Sequence, residues 1–367
     1  MSARFLTVVL ERAFNMRDGF GREIDYMRIS VIDSCNLNCY YCNPCDNNEH
    51  CHALNILSVK EVLCIVRAAT RLGIKHFRLT GGEPLLHPQL DEMVLQIKKI
   101  PGVSSVSLTT NAVLLAQHAK WLKEAGIDSI NVSLDTIDAS EYERITKKPL
   151  LEEVKHGINA AIEYGIRVKI NVVLTPQTDV VALTRYASKK GTDIRFIEMM
   201  PVGEGHTNGV EPYEKVIGAL LEVYGSPCHI DTENREEINS GYNNADNGPA
   251  EYYSFHGLDI RVGLIQAIHG KFCDTCNRIR VTADGRLMPC LGSSVTMDLV
   301  PDSCEFTDDL EKDFVIVQAL KAAIKAKPGC HNFNDNAVTY TKTTETKTTE
   351  IEAAEVNAAR NMSRIGG

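Results

Sequence analysis

The run Met27-Arg28-Ile29-Ser30-Val31-Ile32, followed one residue later by Ser34-Cys35-Asn36-Leu37-Asn38-Cys39-Tyr40-Tyr41-Cys42, decides how the chain is read. The first half is short, β-branched and apolar, the pattern of a strand buried on both faces. The second half is a loop with the spacing C-x3-C-x2-C. A tetrahedral zinc site or a fully ligated cubane wants four ligands. Three thiolates hold a [4Fe–4S] cube by three irons and leave the fourth open for a small molecule. The bland alternatives are a zinc knuckle or scattered structural thiols. Cys45 extends the run to C-x2-C-x2-C, part of a ferredoxin-like set that would close the cube and leave it only electrons to carry.

Working outward, β-rich runs alternate with helical ones. Strands are expected at Met27–Ile32, Lys75–Leu79, Val103–Leu108, Ser129–Val132, Arg167–Val173 and Asp193–Ile197. Helical patterns cover Ser58–Leu72, Leu90–Ile100, Leu115–Ala125, Leu151–Tyr164 and Val180–Lys189, with a further one near Tyr213–Tyr224. Such alternation implies right-handed crossovers and a parallel sheet. The expected fold is α/β: an incomplete (β/α)6 TIM-like barrel with a C-terminal α+β extension. The expected division is a barrel over 18–235, a C-terminal cluster and substrate region over 236–330, and a tail over 331–367. Thr341–Glu345 and Thr346–Glu350 repeat one another in that tail, which ends in Gly366-Gly367.

Barrel enzymes build their sites where strands end. The cysteine loop follows the first strand, Thr80-Gly81-Gly82-Glu83-Pro84 the second, Thr109-Thr110-Asn111 the third and Ser133-Leu134-Asp135 the fourth. Lys169 and Asn171 lie in the fifth, and Glu198-Met199-Met200-Pro201 follows the sixth. Glycines there let a ligand approach the backbone, and Glu83 is placed to accept a hydrogen bond from a ligand ammonium group.

Composition narrows the class. In 367 residues, 44% are hydrophobic and 24% charged, as in an ordinary soluble globular chain. A net charge of −9 argues against a protein that coats nucleic acid, so an anionic substrate would need a locally basic pocket. No apolar run reaches the length of a membrane span, and Phe5–Leu10 is too short for a signal-peptide core. A cytoplasmic location is expected. In that setting twelve cysteines point to metal or catalysis rather than disulfides.

A second cluster lies in Phe272-Cys273-Asp274-Thr275-Cys276-Asn277-Arg278-Ile279-Arg280, with Cys290 downstream. Again three cysteines suggest a cube with one open iron; a zinc ribbon would need a fourth ligand, for which Cys304 is a candidate. Arg278 and Arg280 share one side of an extended segment, and two guanidinium forks beside a cluster suit a phosphate. Cys51, Cys64, Cys228 and Cys330 have no partner spacing and read as buried small hydrophobes. Trp121 reads as core, and the eleven histidines show no ligand pattern.

C-x3-C-x2-C after a first barrel strand, followed by Gly-Gly-Glu, resembles the radical S-adenosylmethionine (SAM) superfamily. The second triplet with Asn-Arg-x-Arg, Gly-Phe-Gly-Arg at 19–22, Leu108–Asn111, Asn131–Asp135, Arg195–Glu198 and the Gly-Gly terminus narrow the resemblance to its GTP 3′,8-cyclase family. The resemblance runs from about residue 18 to 330 and resumes at the last residues. It implies that Cys35, Cys39 and Cys42 hold a SAM-binding [4Fe–4S] cluster, with Tyr41, Gly82, Ser133 and Met200 contacting SAM. It further implies that Cys273, Cys276 and Cys290 hold a second [4Fe–4S] cluster whose open iron meets guanine. Arg28, Arg78, Thr109, Lys169, Arg278 and Arg280 would contact GTP, and Arg195 would be a lesser triphosphate contact.

The activity so implied is that of a lyase. Reductive cleavage of SAM gives a 5′-deoxyadenosyl radical that removes hydrogen from ribose C3′ of GTP, and the C3′ radical attacks C8. The product is (8S)-3′,8-cyclo-7,8-dihydroguanosine 5′-triphosphate, at the first step of molybdenum cofactor biosynthesis. The partners implied are a reductase or flavodoxin-type electron donor and the next enzyme, cyclic pyranopterin monophosphate synthase, with no nucleic acid and no membrane, in a monomer or homodimer. The chain departs from the family pattern at Asn38, His76 and Ala112, where arginine, lysine and glycine are usual. A paralogous two-cluster radical SAM enzyme acting on another nucleotide or a peptide stands as the alternative.

Overall fold

A computed structural model describes residues 16–42, 55–202, 210–230, 248–293, 296–299, 309–331 and 333. Cys45, Cys51, Cys304, the 341–350 repeat and the Gly-Gly terminus lie outside the described residues. The chain alternates β1 (Tyr26–Ser30), α1 (Val59–Arg71), β2 (His76–Thr80), α2 (Leu90–Lys98), β3 (Ser105–Thr110), α3 (Leu115–Glu124) and β4 (Ser129–Ser133). It continues with α4 (Ala139–Thr146), α5 (Leu151–Glu163), β5 (Arg167–Val173), α6 (Val180–Lys190), β6 (Asp193–Ile197) and α7 (Pro212–Tyr224). Then come β7 (Cys228–Ile230), β8 (Glu251–Ser254), β9 (Val262–Ile265), β10 (Arg278–Val281), β11 (Arg286–Met288), β12 (Met297–Asp298) and α8 (Asp309–Lys325).

One twelve-stranded sheet runs β12-β11-β10-β1-β2-β3-β4-β5-β6-β9-β8-β7. Strands β1 to β6 are parallel neighbours, the expected partial barrel. The C-terminal extension adds to both edges of that sheet: β10 pairs parallel with β1, and β9 parallel with β6. The extension thereby lies beside the first strand, which leads into the cysteine loop.

Alternation along each strand sets the two faces. In β1, Met27 and Ile29 are fully buried towards the helices, and Tyr26 and Arg28 turn to the concave side. Helix α1 starts on a reciprocal capping box between Ser58 and Glu61, then buries Val62, Ile65, Val66 and Ala69 in the core. Trp121 packs against that core, as expected, and Cys64 is buried within it. Cys228 and Cys330 are exposed, contrary to the expectation of buried thiols: Cys228 sits on the short terminal strand β7, where nothing covers it among the described residues.

Candidate active site

The first cysteine loop is held from three sides. Gly82 N–H donates to Ile32 O at 2.7 Å and Glu83 N–H to Ser34 O at 2.8 Å. A Cβ on Gly81 would stand 2.3 Å from Ile32 O, and one on Gly82 2.2 Å from Ser34 O, so only glycine lets the two loops touch. From the other side, Asn38 N–H and Tyr40 N–H donate to the Thr146 and Ile145 carbonyls at 3.0 and 3.1 Å. These are the last carbonyls of α4, which have no partner inside the helix. Finally, Asn111 Nδ2 donates to Asn36 Oδ1 at 2.7 Å and reaches Cys35 Sγ at 3.7 Å.

Glu83 has a different role from the one expected of it. Its side chain is fully buried, and its carboxylate accepts from Leu85 N–H (3.0 Å), Thr110 Oγ1 (2.7 Å) and Asn111 N–H (2.7 Å). Burial pushes it up to about 7. The carboxylate fixes the Thr-Thr-Asn loop behind the first triplet and is not aimed at a ligand. Asp135 plays a matching part: it accepts from the Tyr41 hydroxyl and, at 2.8 Å, from Val173 N–H, and burial raises it to about 6.

The second triplet is built on a turn at Cys273–Thr275 that leads into β10. Arg22, the last residue of Gly-Phe-Gly-Arg, is buried there. Its Nη1 donates to Cys273 O at 2.6 Å, its Nη2 to Pro328 O at 2.6 Å, and its Nε to Asp18 at 2.6 Å. That motif therefore anchors the second triplet rather than the first. Lys327, not singled out by sequence, lies beside Cys276. Burial pushes the Cys276 thiol up, but Lys327 and Arg278 outweigh it and bring the thiol below its ordinary value. Burial instead raises Cys273 to about 11, with the Cys330 thiol against it.

Cys35, Cys39, Cys42, Cys273, Cys276 and Cys290 all line one cavity of about 2170 Å³, counted out to its open mouth. Tyr41, Gly82, Ser133 and Met200 line it too, as do Arg28, Arg78, Thr109, Arg278, Arg280 and Arg195. The first triplet lies beyond the C-terminal end of β1. The second precedes β10, whose start is abreast of Tyr26, so the triplets flank opposite ends of β1, a strand about 13 Å long at ~3.3 Å per residue.

Between the triplets the floor is cationic. Arg280, Arg28 and Arg78 stand abreast on three adjacent strands. Burial lowers all three, Arg78 to about 10, and the neighbouring guanidinium groups push the same way. Tyr26 sits under this group, its ring 5.7 Å from both Arg78 Cζ and Arg278 Cζ. Lys169 is not part of the lining: it lies 4% exposed on β5, where burial and then Arg195 bring it down to about 6. Thr109 Oγ1, Asn131 Nδ2, Asn171 Oδ1 and Arg195 Nε are buried with no hydrogen-bond partner among the described residues. Such orphaned atoms are costly in a finished interior. Three of the four, Thr109, Asn171 and Arg195, line the cavity, and the fourth, Asn131, accepts from Arg195 Nη2 at 3.2 Å, so a polar ligand would satisfy the three that face the cavity. His76 lies at the far end of β2, bonded to Ser105 at 2.8 Å, and burial lowers its basicity, so it adds no charge to the floor at neutral pH.

Comparison with known proteins follows this division. The model of the Radical SAM superfamily matches residues 29–184, and that of Molybdenum Cofactor Synthesis C matches 192–333. A GTP 3′,8-cyclase of Clostridium perfringens is 36% identical over 322 residues, 87% of this chain and 95% of the relative. One from Pelotomaculum thermopropionicum is 37% identical over 324 residues, 86% of this chain and 95% of the relative. Among solved structures, Streptococcus suis SuiB bound to S-adenosylmethionine superposes with a TM-score of 0.54 at 15% identity, covering 81% of this chain and 65% of that one, and so shares the fold. With both matched regions in order and near-complete coverage by relatives of one kind, the chain belongs to the GTP 3′,8-cyclase family of radical SAM enzymes.

Proposed function

We propose that this chain is a lyase that cyclises GTP to (8S)-3′,8-cyclo-7,8-dihydroguanosine 5′-triphosphate at the first step of molybdenum cofactor biosynthesis, using SAM and two [4Fe–4S] clusters. The observation that carries the reading is the convergence of two cysteine triplets and an arginine floor on one cavity. Cys35, Cys39 and Cys42 would hold the first cluster, and Cys273, Cys276 and Cys290 the second; each set offers three soft thiolates and leaves one iron for a ligand. When bound and reduced, the first cluster supplies the electron that cleaves SAM to the radical that takes hydrogen from ribose.

The chain's own residues bind and orient. Gly82, Ser133, Tyr41 and Met200 would form the SAM wall, where the Cβ-free backbone of Gly82 allows close approach. GTP brings roughly four negative charges, since a terminal phosphate is mostly doubly ionised at neutral pH. Arg28, Arg78 and Arg280, abreast at the ~4.8 Å strand spacing, offer guanidinium forks to match. Arg278, two residues from Cys276, would draw the nucleotide towards the second open iron, and Thr109 would give or accept one hydrogen bond. Lys169, buried on β5, would act through charge alone. In a cavity with water excluded these attractions are strong.

The barrel over 18–235 and the cluster and substrate region over 236–330 are proposed as divisions of one continuous sheet, both contributing GTP contacts, followed by a tail over 331–367. A reductase or flavodoxin-type protein would deliver electrons, and cyclic pyranopterin monophosphate synthase would take the product. No helix of the described residues is long and apolar enough to cross a membrane; a cytoplasmic monomer or homodimer is proposed. The test is anaerobic: reconstituted protein with SAM, GTP and dithionite should form 5′-deoxyadenosine only when GTP is present, together with the cyclised nucleotide. Equal 5′-deoxyadenosine without GTP, and no cyclised nucleotide, would sink the proposal.

A further inference from the structure

Lys327 follows α8, where Pro328 ends the helical run. Its side chain is 2% exposed, and its Nζ meets three acceptors: Cys276 Sγ at 3.4 Å, Arg278 O at 2.8 Å and Pro289 O at 2.9 Å. Three acceptors match the three N–H donors of an ammonium group, one more than a neutral amine has. No carboxylate lies within ion-pair distance of it among the described residues. A buried cation without a countercharge is expensive. Among the described residues the group able to carry negative charge that its Nζ contacts is the Cys276 sulfur.

The three acceptors come from both halves of the second triplet. Cys276 and Arg278 belong to the turn and β10, and Pro289 precedes Cys290, so one ammonium joins the two segments that must close on one cluster. The backbone around it is pinned independently. Arg22 holds the Pro328 and Gly329 carbonyls at 2.6 and 3.1 Å along with the Cys273 carbonyl, and His331 Nε2 bonds Ala267 O at 2.7 Å. The strap at 327–331 is thus tied to each part of the second site.

We propose that Lys327 is a positioning residue for the second cluster, donating to the Cys276 sulfur and stapling the Cys276 and Cys290 segments together. The proposal rests on Cys273, Cys276 and Cys290 being that cluster's ligands. A cation hydrogen-bonded to a ligating sulfur stabilises the reduced, more negative cluster and so raises its potential. Sequence spacing hides such a residue, because it lies 51 positions from Cys276.

The test uses the full chain carrying Cys35→Ala, Cys39→Ala and Cys42→Ala, which retains only the second triplet, reconstituted with iron and sulfide. This parent should hold about four irons per chain; no iron at all would overturn the ligand assignment itself rather than the role of Lys327. In that parent, Lys327→Met keeps the apolar stem and removes the charge. Its cluster should show a reduction equilibrium about tenfold less favourable in an EPR-monitored dithionite titration, a fall of about 59 mV for one electron. Lys327→Arg should restore most of it. An unchanged potential in a loaded Lys327→Met chain overturns the proposal. If Lys327→Met folds but takes up no iron, loading by Lys327→Arg supports the staple. Loading by neither makes the position merely steric and overturns it.

Discussion

The charged groups that act on Cys35 and Cys39 are the buried carboxylates Glu83 and Asp135; those that act on Cys276 are the cations Lys327 and Arg278. Burial raises Cys35 to about 11, with Glu83 adding to it, and raises Cys39 further, with Asp135 as the next cause. Cys276 goes the other way because Lys327 and Arg278 overcome its burial. The contrast is carried by Cys276 and the arginine floor, for burial raises Cys273 at the same end to about 11. The first end of the cavity disfavours added negative charge, and the second, with the arginine floor leading to it, receives it. A polyanionic nucleotide and a molecule with a sulfonium cation can then sort themselves by charge along β1.

The largest expected effects break one end at a time. Cys39→Ala and Cys276→Ala should each lower iron from about eight to about four per chain and abolish cyclisation. They should differ in binding: Cys39→Ala loses SAM and keeps GTP, whereas Cys276→Ala keeps SAM. Gly82→Ala should behave like Cys39→Ala, since its new Cβ meets backbone 2.2 Å away that cannot swing aside. Iron analysis with equilibrium dialysis of each ligand reads all three. Full iron and SAM binding in Gly82→Ala would show that the contact between the two loops does not hold the first site.

The next effect sharpens the charge contrast. Arg78→Ala should weaken GTP binding ~10²-fold or more, about 2–5 kcal/mol for removing one partner of a buried charge pair, with SAM affinity unchanged. The nucleotide-free protein should melt no lower, because the change relieves crowding with Arg28 and Arg195. Lys169 supplies the pH dependence. At about 6 in the free protein it is mostly neutral at pH 7.5, and the charge of bound phosphates would raise its proton affinity. GTP binding at pH 7.5 should then take up close to one proton, and affinity should rise as pH falls towards 6. Calorimetry in buffers of different ionisation enthalpy reads the uptake, which Lys169→Met should abolish. Uptake unchanged in that variant would assign the proton to another group.

How much of this was legible in the sequence depends on distance along the chain. The six barrel strands and both triplets were readable, because apolar runs and cysteine spacing are local. Helix α4 was not: it has eight residues and little apolar pattern, although Asp138 three residues before Glu141 marks its N-cap. Yet its C-terminal carbonyls hold the first cysteine loop. Arg22 is 251 residues from the carbonyl it binds, and the pairing of β10 with β1 is equally remote. Such contacts leave no periodic trace. Glu83 was misjudged for another reason. A carboxylate next to glycines suggests a ligand contact, and only the fold shows that Leu85, Thr110 and Asn111 occupy it first.

The smallest expected effect tests where the first end stores its strain. Ala112 has φ of 63°, in the left-handed region, and is fully buried. An L-residue there costs roughly 1–2 kcal/mol. Ala112→Gly removes that cost but gives up a buried methyl, worth ~0.8 kcal/mol, and loosens the unfolded chain by about 0.4–1 kcal/mol. The terms nearly cancel, so stability should change by less than about 1 kcal/mol, a shift of a few degrees at most in the melting of the apoprotein. Valine at this position adds β-branching to the same strained backbone and should do real damage. Because the turn positions Asn111, which reaches Cys35, that damage should appear as lost SAM binding while the second triplet still loads its iron. Equal loss of both clusters in Ala112→Val would mean that the two ends fold as one unit, and that their contrasting electrostatics rest on a single shared frame.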